Sequence, residues 1–205
     1  MALLASVLQM RQQEALDAPF FVLTVDHDLR SESASEAASV AGFCAQFGVN
    51  HSVLTWHGAK PSTAMAERGR MMRRGLLLAE CKARGIRQLL LAHTMDDVCE
   101  TLLMRVRRGG LRGHASIVPE TRISGIRVLR PFLALHRSDL RNALRRSGLS
   151  WFDDPTNANM QYERPRVRQA LQAMARDGLP MDSIAAYATV MGRWRAVMAQ
   201  RIASI

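Results

Sequence analysis

The sequence predicts an α/β fold in which helices cross over between the strands of a parallel sheet. Three observations carry this reading. Short apolar runs of β character alternate with longer stretches of helical period. A glycine, a proline or a polar turn bounds each run. Ionisable residues gather just beyond the ends of two of the runs.

Taken in order, Ala2–Leu16 reads as a helix, with Leu3, Leu4, Val7, Leu8 and Ala15 at helical spacing. Pro19 separates it from Phe20–Val25, an apolar strand, and the polar turn Asp26–Ser31 follows. Ser31 or Ser33 caps the next helix, with Glu36 placed three residues after Ser33 as a capping box requires. That helix runs to Phe47 and stops at Gly48. His51–Trp56 is a second strand, and Pro61-Ser-Thr63 opens a helix that continues through Ala83 to a stop at Gly85. Arg87–Ala92 is a third strand, Asp96–Arg107 a helix, Gly109–Gly113 a glycine loop and Ile126–Leu129 a strand.

After Pro131 the pattern changes. His136–Arg146 is a basic helix and Trp151–Tyr162 a loop. Glu163–Ala175 keeps helical period with Pro165 tolerated in its first turn, and Met181–Ile202 is a last helix. The domain boundary is therefore placed between an α/β unit, residues 1–133, and a helical extension, residues 134–205.

Composition narrows the function classes. With 205 residues, 48% hydrophobic and 22% charged, the chain is neither disordered nor fibrous. No apolar run reaches the roughly 20 residues of a membrane span, and no signal peptide is recognisable. Cys44, Cys81 and Cys99 are too few and too scattered for a disulfide framework or a zinc ribbon, and are read as reduced thiols of a cytoplasmic protein. The net charge is +10, unevenly placed: residues 1–60 carry 3 basic and 6 acidic side chains, residues 61–205 carry 25 and 12. Such asymmetry fits a polyanionic partner, and codon bias in an arginine-rich proteome fits it equally.

Ligands of open α/β sheets bind beyond the carboxyl ends of the strands. Two candidate stretches lie there, Asp26-His27 and His93–Asp97. In the second, Asp96, Asp97 and Glu100 fall on one helix face, opposite an apolar face of Val98, Cys99, Leu102, Leu103 and Val106. Capping and the helix dipole account for one or two of the acids. Three together repel one another unless a cation sits among them, which makes them candidate ligand-facing residues. His93 gains interest from its place at a strand end. Arg105, Arg107, Arg108 and Arg112 flank the glycine loop, as either a solvated face or a phosphate site. Arg164, Arg166 and Arg168 alternate, as either an exposed helix face or a surface that tracks a nucleic-acid backbone.

Together these pieces resemble the tRNA(Ile)-lysidine synthase family of PP-loop ATP pyrophosphatases. The family pattern runs V-D-H-G-L-R, A-H-H-x-D-D-Q-x-E-T, R-G-S-G, R-P-L-L, W-x-x-D-P-S-N and an arginine cluster. Val25–Arg30, Ala92–Thr101, Arg108–Gly113, Arg130–Leu133, Trp151–Asn157 and Arg164–Arg168 match it in that order, over residues 1–170. Asp28 stands where the family has glycine, Thr94 and Val98 replace a His and a Gln, Met71 and Met72 lie near its Arg-Tyr pair, and Pro165 replaces an Asn.

The resemblance implies a Rossmann-like, adenine nucleotide alpha hydrolase-like fold. It implies ATP-dependent adenylation of the wobble cytidine of tRNA(Ile) with a CAU anticodon, followed by attack of free lysine to give lysidine. It also implies ATP and Mg²⁺ as cofactors, and it leaves a homodimer open. His93 would lie beside the reacting phosphate. Asp96, Asp97 and Glu100 would serve lysine or Mg²⁺, with Asp97 the metal candidate. Asp26, His27 and Arg108 would hold the nucleotide. Arg105, Arg112, Arg130, Asp154, Asn157, Arg164, Arg166 and Arg168 would meet the tRNA. Two other readings stay open, a PP-loop tRNA thiolase and a non-catalytic RNA-binding form; the lack of C-x-x-C weighs against the cytidine thiolase. The family's S-G-G-x-D-S phosphate loop and first strand precede a helix that reads like Ala2–Val7, so the chain as written is expected to lack both and to bind ATP poorly.

Overall fold

The computed structural model describes residues 1–28, 33–58, 65–109, 117–153 and 159–203. The elements run α1 (Ala2–Gln12), β1 (Val22–Asp26), α2 (Ser33–Gln46), β2 (His51–Thr55), α3 (Met65–Ala83), β3 (Gln88–Leu90), α4 (Met95–Arg107), β4 (Glu120–Ile123), β5 (Ile126–Leu129), α5 (Arg137–Arg146), α6 (Glu163–Arg176) and α7 (Met181–Ala203). The alternation read from the sequence is present, with shorter ends. Helix α1 stops at Gln12, and β1 begins at Val22 rather than Phe20. Ser33 is itself the first helical residue of α2, so it is not the cap, and Ser31 lies outside the described residues.

One strand was not foreseen. Ser124 and Gly125, at φ +50° and +82°, form a two-residue connection between β4 and β5. Positive φ at both central residues is the hairpin turn whose twist matches that of its strands, so β4 and β5 run antiparallel. The Ser-Gly pair between Glu120–Ile123 and Ile126–Leu129 was the available signal.

The strands make two sheets. In the first, β1 pairs in parallel with β2, in register from Val22↔His51 to Asp26↔Thr55. The second has the order β3-β5-β4. There Arg127 N donates to Arg87 O and Leu91 N to Leu129 O, both at 2.9 Å. The partner numbers rise together, so β3 and β5 are parallel. No strand among the described residues joins the two sheets.

Two compact units emerge: Met1–Leu89 with Arg122–Arg127, and Leu90–Thr121 with Val128–Ile205. The first has a small core of Leu8, Cys44 and Val49, packed against Leu4, Phe20, Val22, Val40 and Phe43. The second is mainly helical. Its core joins α4, α6 and α7 through Val98, Cys99, Leu102, Val167, Leu171, Ala185 and Ala188. Leu171 and Val167 are almost wholly buried, and each contributes about 1.5–3 kcal/mol through removal of apolar surface from water. This packing fixes α6 alongside α4 and so determines which side chains of α6 can reach the acids of α4. No helix among the described residues is long and apolar enough to cross a membrane.

Candidate functional site

The acids of α4 begin with a cap. Thr94 precedes the helix in an extended conformation, and its N–H donates to Asp97 Oδ2 at 2.9 Å. The Thr94 hydroxyl donates to the same oxygen at 3.1 Å. Asp97 therefore spends one oxygen on satisfying the start of the helix, as an N3 acid of a capping box does. Asp96 Oδ2 accepts the backbone N–H of Arg137, the first residue of α5, at 2.7 Å. That bond fastens the start of α5 to the start of α4.

Glu100 is the centre of the arrangement. Its side chain is only 1% exposed, although the sequence placed it on the polar face. Three guanidiniums reach it. Arg168 Nε donates to Oε1 at 2.9 Å, Arg164 Nε lies 2.9 Å from Oε2, and both terminal nitrogens of Arg137 stand 3.4 Å from Oε1. Arg137 and Arg164 also approach Asp97 Oδ1, at 3.4 and 3.8 Å. Burying a carboxylate is costly unless opposite charge and hydrogen bonds offset it: all three arginines bring charge, Arg137 and Arg168 donate to Oε1, and Oε2 faces Arg164 Nε in an ion pair without a hydrogen bond.

The predicted apolar face is partly corrected. Val98, Cys99 and Leu102 are buried, but Val106 is 43% exposed, because α4 leaves the core in its last turn. Cys99 Sγ donates to Met181 O at 3.4 Å, which ties α4 to α7. Burial, then the nearby Asp96, Asp182 and Glu100, push this thiol up to about 12, so it is a protonated packing residue.

In the other unit, Asp26 and His27 lie where β1 ends. Trp56 N donates to Asp26 O at 2.8 Å, and the His27 and Trp56 rings meet edge-on at 6.2 Å. Asp28 has φ +49°, and its N–H donates to Asp26 Oδ1 at 2.8 Å. This explains why glycine suits that position: the backbone is left-handed, and aspartate tolerates it with help from a local hydrogen bond.

A PP-loop domain model matches residues 1–175. The chain belongs to the PP-loop domain family. Two of its curated relatives are named tRNA(Ile)-lysidine synthase. The one from Ruegeria pomeroyi is 41% identical over 175 residues, covering 85% of this chain and 42% of the relative. The one from Brucella suis is 38% identical over 194 residues, covering 92% of this chain and 43% of the relative. The chain thus spans less than half the length of these relatives. Among solved structures, the U34-tRNA thiolase NcsA from Methanococcus maripaludis superposes with a TM-score of 0.77 at 13% identity, covering 94% of this chain and 68% of that one. At that identity the likeness concerns the fold, and it agrees with the α/β architecture.

Within this PP-loop domain the structure draws together Asp96, Asp97, Glu100, Arg164 and Arg168. His93 is half-buried between β3 and α4, one residue before the cap. Arg166 points elsewhere, donating to the carbonyls of Met160 and Gln161 at 2.9 and 3.0 Å. Arg108 pairs with Glu163 at 2.6 Å, and Arg105 is half-buried on α4. Arg130 is occupied internally: its Nη1 donates to Val118 O at 2.9 Å and to Thr121 Oγ1 at 3.2 Å, and burial lowers its pKa. Arg112, Asp154 and Asn157 lie outside the described residues. The residue that sequence reasoning missed is Arg137. It sits 41 positions from Asp96, and no local pattern distinguishes it from the other arginines of its helix.

Proposed function

We propose that this PP-loop domain takes part in the ATP-dependent ligation of lysine to C2 of the wobble cytidine of tRNA(Ile) with a CAU anticodon, forming lysidine. The observation that carries the reading is the 41% identity over 175 residues to a relative of that name. The six ordered motifs fall within residues 1–175, the span that the PP-loop domain model matches. A thiolase reading rests on a fold likeness at 13% identity and has no comparable support.

Chemistry assigns the parts. Cytosine C2 is a poor electrophile until its oxygen carries a good leaving group, and ATP supplies that group when bound. The protein contributes orientation and charge stabilisation. The end of β1, where Asp26 and His27 stand beside the buried Trp56, is the place a nucleoside would take in this reading, beyond the carboxyl end of a strand. His93 would stand near the reacting phosphate. The positive balance after residue 60 favours approach of the tRNA.

A Mg²⁺ ion does not fit the acids of α4. Asp97 Oδ2 holds the cap, its Oδ1 faces two guanidiniums, and Glu100 is enclosed by three. No group of three or more metal-ligating side chains occurs among the described residues.

The test is incubation of residues 1–205, extended ahead of α1 by a segment carrying a strand and the S-G-G-x-D-S phosphate loop, with ATP, lysine and unmodified tRNA(Ile), followed by mass spectrometry of the wobble nucleoside and measurement of AMP. Lysidine with lysine-dependent AMP release is expected. AMP release that needs a sulfur donor instead of lysine, with a thiolated nucleoside as product, would overturn the proposal.

A further inference from the structure

We propose that the outward face of α7 is the seam of an antiparallel homodimer, in which the α7 helices of two copies of this chain pack against each other. The inference is independent of the lysidine reading and rests on the two faces of one helix.

A helix that covers one side of a core needs one apolar face, and α7 has two. Ile184, Ala185 and Ala188 face inward and pack with α4 and α6. Gly192 continues that face, since a Cβ there would meet Val118 Cγ1 at 3.9 Å. At about 100° per residue, the opposite side carries Tyr187, Val190, Trp194 and Val197, spaced by three, four and three. All four are exposed, Val190 at 61% and Trp194 at 60%. At this spacing they form one continuous stripe rather than scattered apolar residues, and a stripe of that kind marks an interaction surface. Its Tyr187 end opens into an apolar groove of about 340 Å³, lined by Leu103, Val106, Met174 and Leu179 among others.

The occupant that fits is a second copy. A stripe with heptad spacing is complementary to itself, because its side chains fit the gaps between those of an identical helix. With the two-fold axis beside Gly192, Val190 faces the partner's Trp194 and Tyr187 faces the partner's Val197, next to the groove. Charge selects the direction. Asp182, 69% exposed beside His136, opens the helix, and the exposed Arg201 lies in its last turn. Antiparallel packing sets Asp182 near the partner's Arg201 and opposes the helix dipoles, whereas parallel packing sets like charges together. The net charge of +10 on each chain opposes association, and a seam one helix long is small, so the dimer is weak, with a dissociation constant in the micromolar range.

The test is sedimentation of the chain from submicromolar to submillimolar concentration, after nuclease treatment. A monomer–dimer equilibrium is expected, and salt should strengthen it by screening the repulsion. Val190→Glu and Val197→Glu should each weaken it by about tenfold or more, since each sets a charge in the seam. Both positions are exposed, so the variants stay folded, as circular dichroism verifies. Met71→Glu, at a 59% exposed position of α3, should leave it unchanged. Direction is read by oxidation: Val190→Cys chains mixed with Trp194→Cys chains should cross-link to each other, and neither alone. A chain that stays monomeric throughout leaves the stripe to another partner and overturns the proposal. So does a dimer that Val190→Glu does not weaken, that Met71→Glu weakens equally or that salt dissociates, or efficient cross-linking of Val190→Cys alone.

Discussion

Replacing Glu100 by Gln removes one negative charge and leaves the shape of the side chain almost unchanged. The wild-type carboxylate is 1% exposed and faces Arg164 and Arg168 at 2.9 Å and Arg137 at 3.4 Å. Gln keeps one acceptor oxygen but brings an NH₂ group to one of the two positions now facing a guanidinium. Breaking a buried ion pair from one side costs about 3–5 kcal/mol, because the partner charge is left uncompensated. Here the partners are 28–32% exposed and can recover some hydration, which places the cost near the lower end, about 3 kcal/mol. For a chain of this size that corresponds to a loss of about 6–12 °C in the melting temperature, read by scanning calorimetry. The double variant Glu100→Gln with Arg168→Gln should lose less than the sum of the two single losses, since the second removes a charge the first has stranded. A melting temperature within about 2 °C of wild type, with additive single and double effects, would refute the claim that Glu100 holds α6 to α4 electrostatically.

Two further outcomes follow from other parts of the fold. Gly125→Ala should destabilise by about 1–2 kcal/mol in denaturant unfolding, because φ is +82° there while an added Cβ meets nothing within 4 Å; an unchanged midpoint would mean that Ser124–Gly125 is not the hairpin turn. For Cys99, burial raises the folded thiol from an ordinary 9.0 to about 12, so its contribution to stability is full below pH 9 and is lost as pH rises toward 12. Cys99 should therefore resist iodoacetamide in the native state at pH 8.5 and react only on unfolding, and rapid native labelling at that cysteine would contradict its burial.

The alternation of strands and helices was legible because hydrophobic periodicity is a local property, and so were the Ala92–Thr101 motif and the acids that open α4. The β4–β5 hairpin was legible in principle from Ser124-Gly125, but the flanking runs are short and carry arginines at 122 and 127, which hid their β character. The partners of the acids were not legible. Sequence spacing shows that Asp96, Asp97 and Glu100 share a face, and electrostatics shows that such a face needs cations. It does not say whether those cations arrive as ligands or from the chain itself. Only the packing of α6 on α4, through Val167 and Leu171, turns Arg164 and Arg168 inward and leaves Arg166 between them outside. Arg137 enters for a similar reason, because the bond from its backbone to Asp96 fixes the start of α5 beside the start of α4. The sequence by itself determined the family of fold and which residues carry charge. Tertiary structure decided which charges meet, since contacts 37 to 68 positions apart are set by helix packing and leave no periodic trace along the chain.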